Sequence, residues 1–188
     1  MFDDFFAYHG EYRGTETVMR LQSVKRWHMI ETTRIQTLAE HSANVALLAM
    51  LIAKTAEIES FNTYTDVAAA ALCHDLAEVF TGDIPTRSKD YLKGLDELER
   101  QLLPAAFTGI EITESTRALI KLCDLADGIR FIRIHGVDKM AINARVGLEN
   151  RLMTLFEACR TTLEWPSHLL THVRSHIMLY AHDHSIGA

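Results

Sequence analysis

Residues that break helices are scarce: three prolines and nine glycines in 188 positions. Long helices are therefore open to this chain. Strand-like alternation of apolar and polar residues is almost absent, which argues against a sheet-based architecture. Cysteine is sparse too. Cys73, Cys123 and Cys159 are odd in number, widely spaced and form no C-x-x-C pair. That excludes a disulfide scaffold or a zinc ribbon and leads to a reduced, cytoplasmic setting. A basic excess is missing, since the net charge is −6. Proteins that coat DNA or RNA need a basic surface, so no nucleic-acid polymer is expected as partner. A basic pocket for a single nucleotide stays compatible. No apolar run reaches the roughly 18 residues that span a bilayer. The opening MFDDFFAYHGEYRG lacks the basic and apolar regions of a secretory signal, so no membrane partner is expected either. Repeats, low-complexity tracts and linker-like shifts are absent, which makes 1–188 a single domain in the simplest reading.

Apolar residues make up 48% of the chain, enough for a sizeable core. Helix signals are frequent. Thr37 and Glu40 match the S/T-x-x-E capping box and predict a helix over 38–57, with Val45, Leu48, Ala49 and Ile52 on one side. Thr65 or Asp66 opens a helix to about residue 80, ended by Gly82 with Pro85 beyond. Further helices are predicted over 90–103, 114–135, 139–163 and 168–182, closed or capped by Pro104, Gly136 and Ser167. The opening is less regular: 3–9 and 16–21 suit short helices, and 26–33 suits an extended segment. The expected fold class is all-α, a compact bundle of about six or seven helices.

The stretch AALCHDLAEVFTGDIPT places His74 and Asp75 where an apolar stripe is expected. An isolated His-Asp pair is most often a hydrogen-bonded core pair or a solvated one. Other positions repeat the anomaly. His41 follows the capping box, and Asp124 lies in the apolar run ALIKLCDLADGIRFI, where an unpaired carboxylate is expensive. Three predicted helices thus each carry a metal-competent residue. Two imidazoles with two carboxylates suit one divalent transition ion, with Co, Mn or Zn foremost, better than Mg or Ca. Such a centre leaves positions for water, as hydrolysis requires. Asp127, one turn after Asp124, reads as an acid beside the site or on the helix face. It becomes the ligand only if the helix is phased differently. His168, His172 and His176 share one face of the last helix but read as surface residues.

The order H…HD…D resembles the HD-domain metal-dependent phosphohydrolases. RWHMIETTRIQTLAEHS followed by CHDLAEVFTGDIPTRSK is similar to the bacterial 5'-deoxynucleotidase branch, which also contains small phage deoxynucleoside triphosphohydrolases. The resemblance covers residues 6–130. It implies that His41, His74, Asp75 and Asp124 hold the metal. It further implies that Glu78 positions or deprotonates the attacking water and that Asp83 takes part in proton transfer. Arg26 is then placed on phosphate or sugar, Trp27 on sugar or base, Met29 loosely on the base, and Lys89 on phosphate, with Arg87 as its alternative. Lys25 and Arg34 are further candidate charges for the phosphate pocket. The activity implied is release of phosphate from deoxynucleoside monophosphates. A triphosphohydrolase of the dATP type is the alternative, and a nucleotide-binding regulator without turnover a second. Relatives of this branch imply a homo-oligomer, a dimer or higher. Met140, Val146, Met153 and Phe156 on the long helix over 139–163 suit either an interface or the core.

Overall fold

Helices joined by short connections account for most of the chain. The computed structural model describes residues 13–56, 61–89, 91–104, 107 and 109–182. In order these form α1 (Arg13–Arg20), β1 (Lys25–Arg26), β2 (Gln36–Thr37), α2 (Leu38–Ala56), α3 (Tyr64–Cys73), α4 (Glu78–Thr81), α5 (Thr86–Lys89), α6 (Leu95–Leu102), α7 (Glu114–His135), α8 (Lys139–Thr161) and α9 (Ser167–His182). The all-α bundle expected from the sequence is therefore present. The 3–9 segment lies outside the described residues. No helix among the described residues is long and apolar enough to cross a membrane.

α7 is the axis of the bundle. Its buried residues fall on every face, from Thr116 through Leu119, Leu122, Ile129 and Ile132. A helix enclosed all round must be wrapped by others, and α2, α3, α8 and α9 all pack on it. Thr113 caps its start by accepting the Thr116 N–H at 3.1 Å. Val45, Ala49 and Ile52 of α2 join the same core as Leu119, Leu152, Leu169 and Ile177. On α8, Phe156 enters the core, whereas Met140, Val146 and Met153 stay exposed.

Several boundaries depart from the sequence reading. The capping box is half formed: Thr37 accepts the Glu40 N–H at 3.2 Å, but the Glu40 carboxylate pairs with Arg34. Residues 26–33 are extended only in part. Lys25 and Arg26 pair, antiparallel, with Thr37 and Gln36, Thr32 makes an isolated antiparallel bridge to Gly136, and between them Trp27 turns with φ +63°. A bulky side chain in that region costs about 1–3 kcal/mol and needs outside support. The 90–103 helix starts late, at Leu95, because Gly94 takes φ +81° just before it.

The most consequential departure is at the His-Asp pair. The predicted continuous helix to residue 80 is broken after Cys73, with Thr63 and not Thr65 or Asp66 as its cap. His74 Nδ1 donates to the Ala71 carbonyl at 2.6 Å. That is the acceptor a continuing α-helix offers the N–H of residue 75. The backbone proceeds instead through tighter i→i+3 bonds, Leu76 to Cys73 and Glu78 to Asp75 among them. A three-residue turn brings residues 75 and 78 onto one line. Gly82, at φ +77°, then ends α4 as the sequence suggested.

Candidate metal centre

His41 stands in the first turn of α2, His74 and Asp75 in the turn after α3, and Asp124 in mid-α7. One ligand atom from each lies within 4.8 Å of all the others. Bonds of about 2.0–2.2 Å to one ion require nearly that spacing. His41 Nε2 is 3.2 Å from Asp124 Oδ1 and 3.6 Å from Asp75 Oδ2; His74 Nε2 is 3.2 Å from Asp75 Oδ2. Both Nε2 atoms are buried and make no hydrogen bond. Two buried imidazole nitrogens aimed at two carboxylates are the observation that fits a divalent ion. Electrostatics agrees. Against burial and the Arg26 charge, Asp124 and Asp127 raise the His41 imidazole to about 9, so the site draws positive charge to that point. Burial also works against the charges on Asp75 and Asp124, but His74 beside Asp75, and Lys121 and His41 beside Asp124, hold both carboxyls low.

Arg26 reaches into the cluster from β1. Its Nη1 donates to Asp75 Oδ2 at 2.9 Å and lies 3.8 Å from Glu78; Nη2 lies 3.8 Å from Asp124. A guanidinium there offers several donors to phosphate oxygens sharing the centre. Lys121 holds the other face of Asp124, Nζ to Oδ2 at 2.5 Å.

Glu78 is only 3% exposed. Lys89 Nζ donates to its Oε1 at 2.9 Å, while Oε2 is buried without a hydrogen-bond partner. Burial first, then the negative Asp75, push its carboxyl up to about 7, against the pull of Arg26 and Lys89. That is the range in which a carboxylate both holds and releases a proton near neutrality. A cleft of about 530 Å³ opens beside it, lined by Lys25, His28, Gly82 and Asp83 among others.

Trp27 is built into the site. Asp83 Oδ2 accepts its N–H at 3.0 Å and so supports the left-handed backbone. Its indole Nε1 donates to Gln36 Oε1 at 2.8 Å, and its ring lies parallel to Phe131 at 6.5 Å. Gly128 makes this approach possible: a Cβ there would stand 3.2 Å from Trp27 Cζ2 and from Leu148 Cδ1. Alanine gains about 1 kcal/mol of helix propensity over glycine, which offsets much of the crowding cost of about 1–3 kcal/mol. Gly128→Ala is therefore expected to fold and to hold its metal, while the displaced Trp27 raises KM about 3- to 10-fold, the equivalent of roughly 1 kcal/mol. Steady-state kinetics beside metal analysis checks this, and an unchanged KM would separate Trp27 from the nucleotide.

Of the residues singled out in the sequence, His41, His74, Asp75, Asp124, Glu78, Arg26 and Lys89 come together. Asp83 sits beside them, in contact with Trp27. Met29 does not join; it lies 68% exposed on the turn that Ile30 closes back to Trp27. Arg34 is turned away onto Glu40 and His135. The Arg87 side chain lies outside the described residues. Sequence reasoning missed Gln36, Asn44 and Tyr180, all bonded to Asp127. Asn44 stands one turn from His41, a local signal; Gln36 and Tyr180 carry none.

Two imidazoles and two carboxylates that could hold one divalent ion, with a buried carboxylate and an arginine and a lysine alongside, are the arrangement of a metal-dependent phosphohydrolase of the HD type. Residues 15–121 match the 5'-deoxynucleotidase YfbR-like family, and the chain belongs to that family. It is 36% identical over 143 residues to a dATP triphosphohydrolase of Salmonella phage PMBT28, covering 71% of this chain and 73% of the relative. It is 36% identical to a 5'-deoxynucleotidase of Pectobacterium atrosepticum over 74 residues, 38% of this chain and 37% of the relative. Among solved structures, the HD phosphohydrolase of Cyanophage S-2L, bound to dA and one catalytic Zn2+ ion, superposes with a TM-score of 0.74 at 26% identity, over 87% of this chain and 93% of that one. The protein is thus a divalent-metal-dependent hydrolase of deoxynucleotide phosphates.

Proposed function

We propose that the chain is a deoxynucleoside triphosphate triphosphohydrolase, with dATP the leading substrate. One observation carries this reading. Over comparable spans of this chain the phage dATP triphosphohydrolases of Salmonella phage PMBT28 and Cyanophage S-2L are 36% and 33% identical, across 71% and 70% of it, whereas a Shewanella oneidensis 5'-deoxynucleotidase is 27% identical across 77%. The monophosphate reading drawn from the motifs takes second place.

A divalent ion held by His41, His74, Asp75 and Asp124 supplies a Lewis acid for a phosphoryl oxygen and favours ionisation of water. The remaining work belongs to this chain's side chains. Glu78 Oε2, buried and lacking a hydrogen-bond partner, takes or holds the proton of the attacking water. Arg26 and Lys89 neutralise phosphate oxygens. Water adds to the α-phosphorus, the bond to the 5'-oxygen breaks, and that oxygen leaves protonated, giving deoxynucleoside and triphosphate. Trp27 offers its ring to sugar or base.

The test is an end-product assay. Protein stripped with chelator and reloaded with Zn, Mn or Co is offered each deoxynucleoside mono- and triphosphate, and products are separated by chromatography. Deoxyadenosine with intact triphosphate from dATP is the expected result. Inorganic phosphate from monophosphates alone would return the chain to the deoxynucleotidases.

A further inference from the structure

Asp127 lies buried one turn beyond Asp124 on α7. Its carboxylate accepts four hydrogen bonds from three separate elements. Oδ2 takes His41 Nδ1 at 2.7 Å and Gln36 Nε2 at 2.7 Å. Oδ1 takes Tyr180 Oη at 2.8 Å and Asn44 Nδ2 at 3.0 Å. A carboxylate has about four lone-pair sites, and all are filled. Bonds from His41, Tyr180 and Asn44 keep the acid ionised although burial opposes its charge.

The geometry has two consequences. An unprotonated Nδ1 at 2.7 Å from Oδ2 would set lone pair against lone pair, so His41 carries hydrogen on Nδ1 and leaves Nε2 to face Asp75 and Asp124. His74 is oriented in the same sense by a backbone carbonyl; His41 has a charged side chain for the task. Gln36 is fixed as well: its amide nitrogen must face Asp127, so its oxygen faces Trp27 Nε1. One carboxylate therefore sets both a proposed metal ligand and the ring proposed for the nucleoside.

We infer that Asp127 is the positioning residue of the centre: it holds His41 in the form that binds metal through Nε2 and, through Gln36, sets the Trp27 ring. This rests on the metal-centre part of the reading above, not on the choice of substrate. The hydroxyl of Tyr180 extends the control to α9, far along the chain, whose Tyr180 carbonyl is in turn held by Arg130 at 3.0 Å.

Two measurements test it, both made without substrate. Zinc affinity is read by competition with a chromophoric chelator for the full chain and for Asp127→Asn, with the urea midpoint recorded beside it. An amide presents one acceptor where four donors converge, and loss of such a partner costs about 10- to 100-fold in metal affinity. That loss, in a variant that stays folded, is the expected result; zinc affinity within threefold of the parent overturns the proposal. If Asp127→Asn does not fold, 15N NMR of the zinc-loaded parent decides. His41 hydrogen on Nδ1 with zinc on Nε2 is expected, and zinc on Nδ1 overturns it. A chain that binds zinc in this way but leaves dATP intact would sink the substrate reading alone.

Discussion

Asp75→Ala is expected to lose its metal on mild dialysis and to turn over no deoxynucleotide. Asp75 Oδ2 is the atom on which the centre converges: it lies 3.2 Å from His74 Nε2, 3.6 Å from His41 Nε2 and 2.9 Å from Arg26 Nη1. Four-ligand zinc sites are worth about 10–16 kcal/mol. One ligand in four therefore accounts for roughly 3 kcal/mol, or about 100-fold in affinity. The variant has a second defect, because Arg26 loses its nearest anion, and a buried charge left without its partner costs about 3–5 kcal/mol. With less metal and a displaced Arg26, the residue proposed for phosphate, turnover is expected below about a thousandth of the parent's. Metal analysis on the dialysed variant, alongside the product assay, checks both losses. Full activity with metal bound would remove Asp75 from the ligand set.

Glu78→Gln separates chemistry from metal binding. Glutamine keeps the length of the side chain and an oxygen for Lys89, so the fold and the four-ligand cluster are expected to stay intact with one ion per chain. It cannot accept a proton from water. The expected loss is about 10²- to 10⁴-fold in kcat, the usual worth of a general base, with KM little changed. The pH profile adds a sign. In the parent, Glu78 must be ionised to act, so kcat falls as pH drops and the carboxylate takes up a proton. That acid limb is expected to vanish in the variant. A change in kcat of less than twofold would make Glu78 a structural acid.

How far the sequence led can be traced residue by residue. That three separate segments converge on the centre was legible because His41, Asp75 and Asp124 each sit where packing favours an apolar side chain; that the middle one is a turn and not a helix was not. α7 and α9 were legible because Gly136 and Ser167 punctuate long apolar-periodic runs. The break after Cys73 was not. It depends on a histidine side chain competing with the backbone for the Ala71 carbonyl, and helical periodicity does not register that. The separation of Met29 from the cluster was not legible, because neighbours in sequence diverge in a turn: Trp27 faces Phe131 and Gly128 while Met29 is exposed. Asp127 was noticed as an anomaly beside Asp124. Its role stayed hidden because Gln36 and Tyr180, the donors that define it, lie 91 and 53 residues away.

Anomalous diffraction at the zinc edge, on crystals of the zinc-loaded full chain, tests the central claim most directly. One peak is expected, about 2.0–2.2 Å from His41 Nε2, His74 Nε2 and one oxygen each of Asp75 and Asp124. A peak bound through other residues, or none at this cluster, would contradict the account.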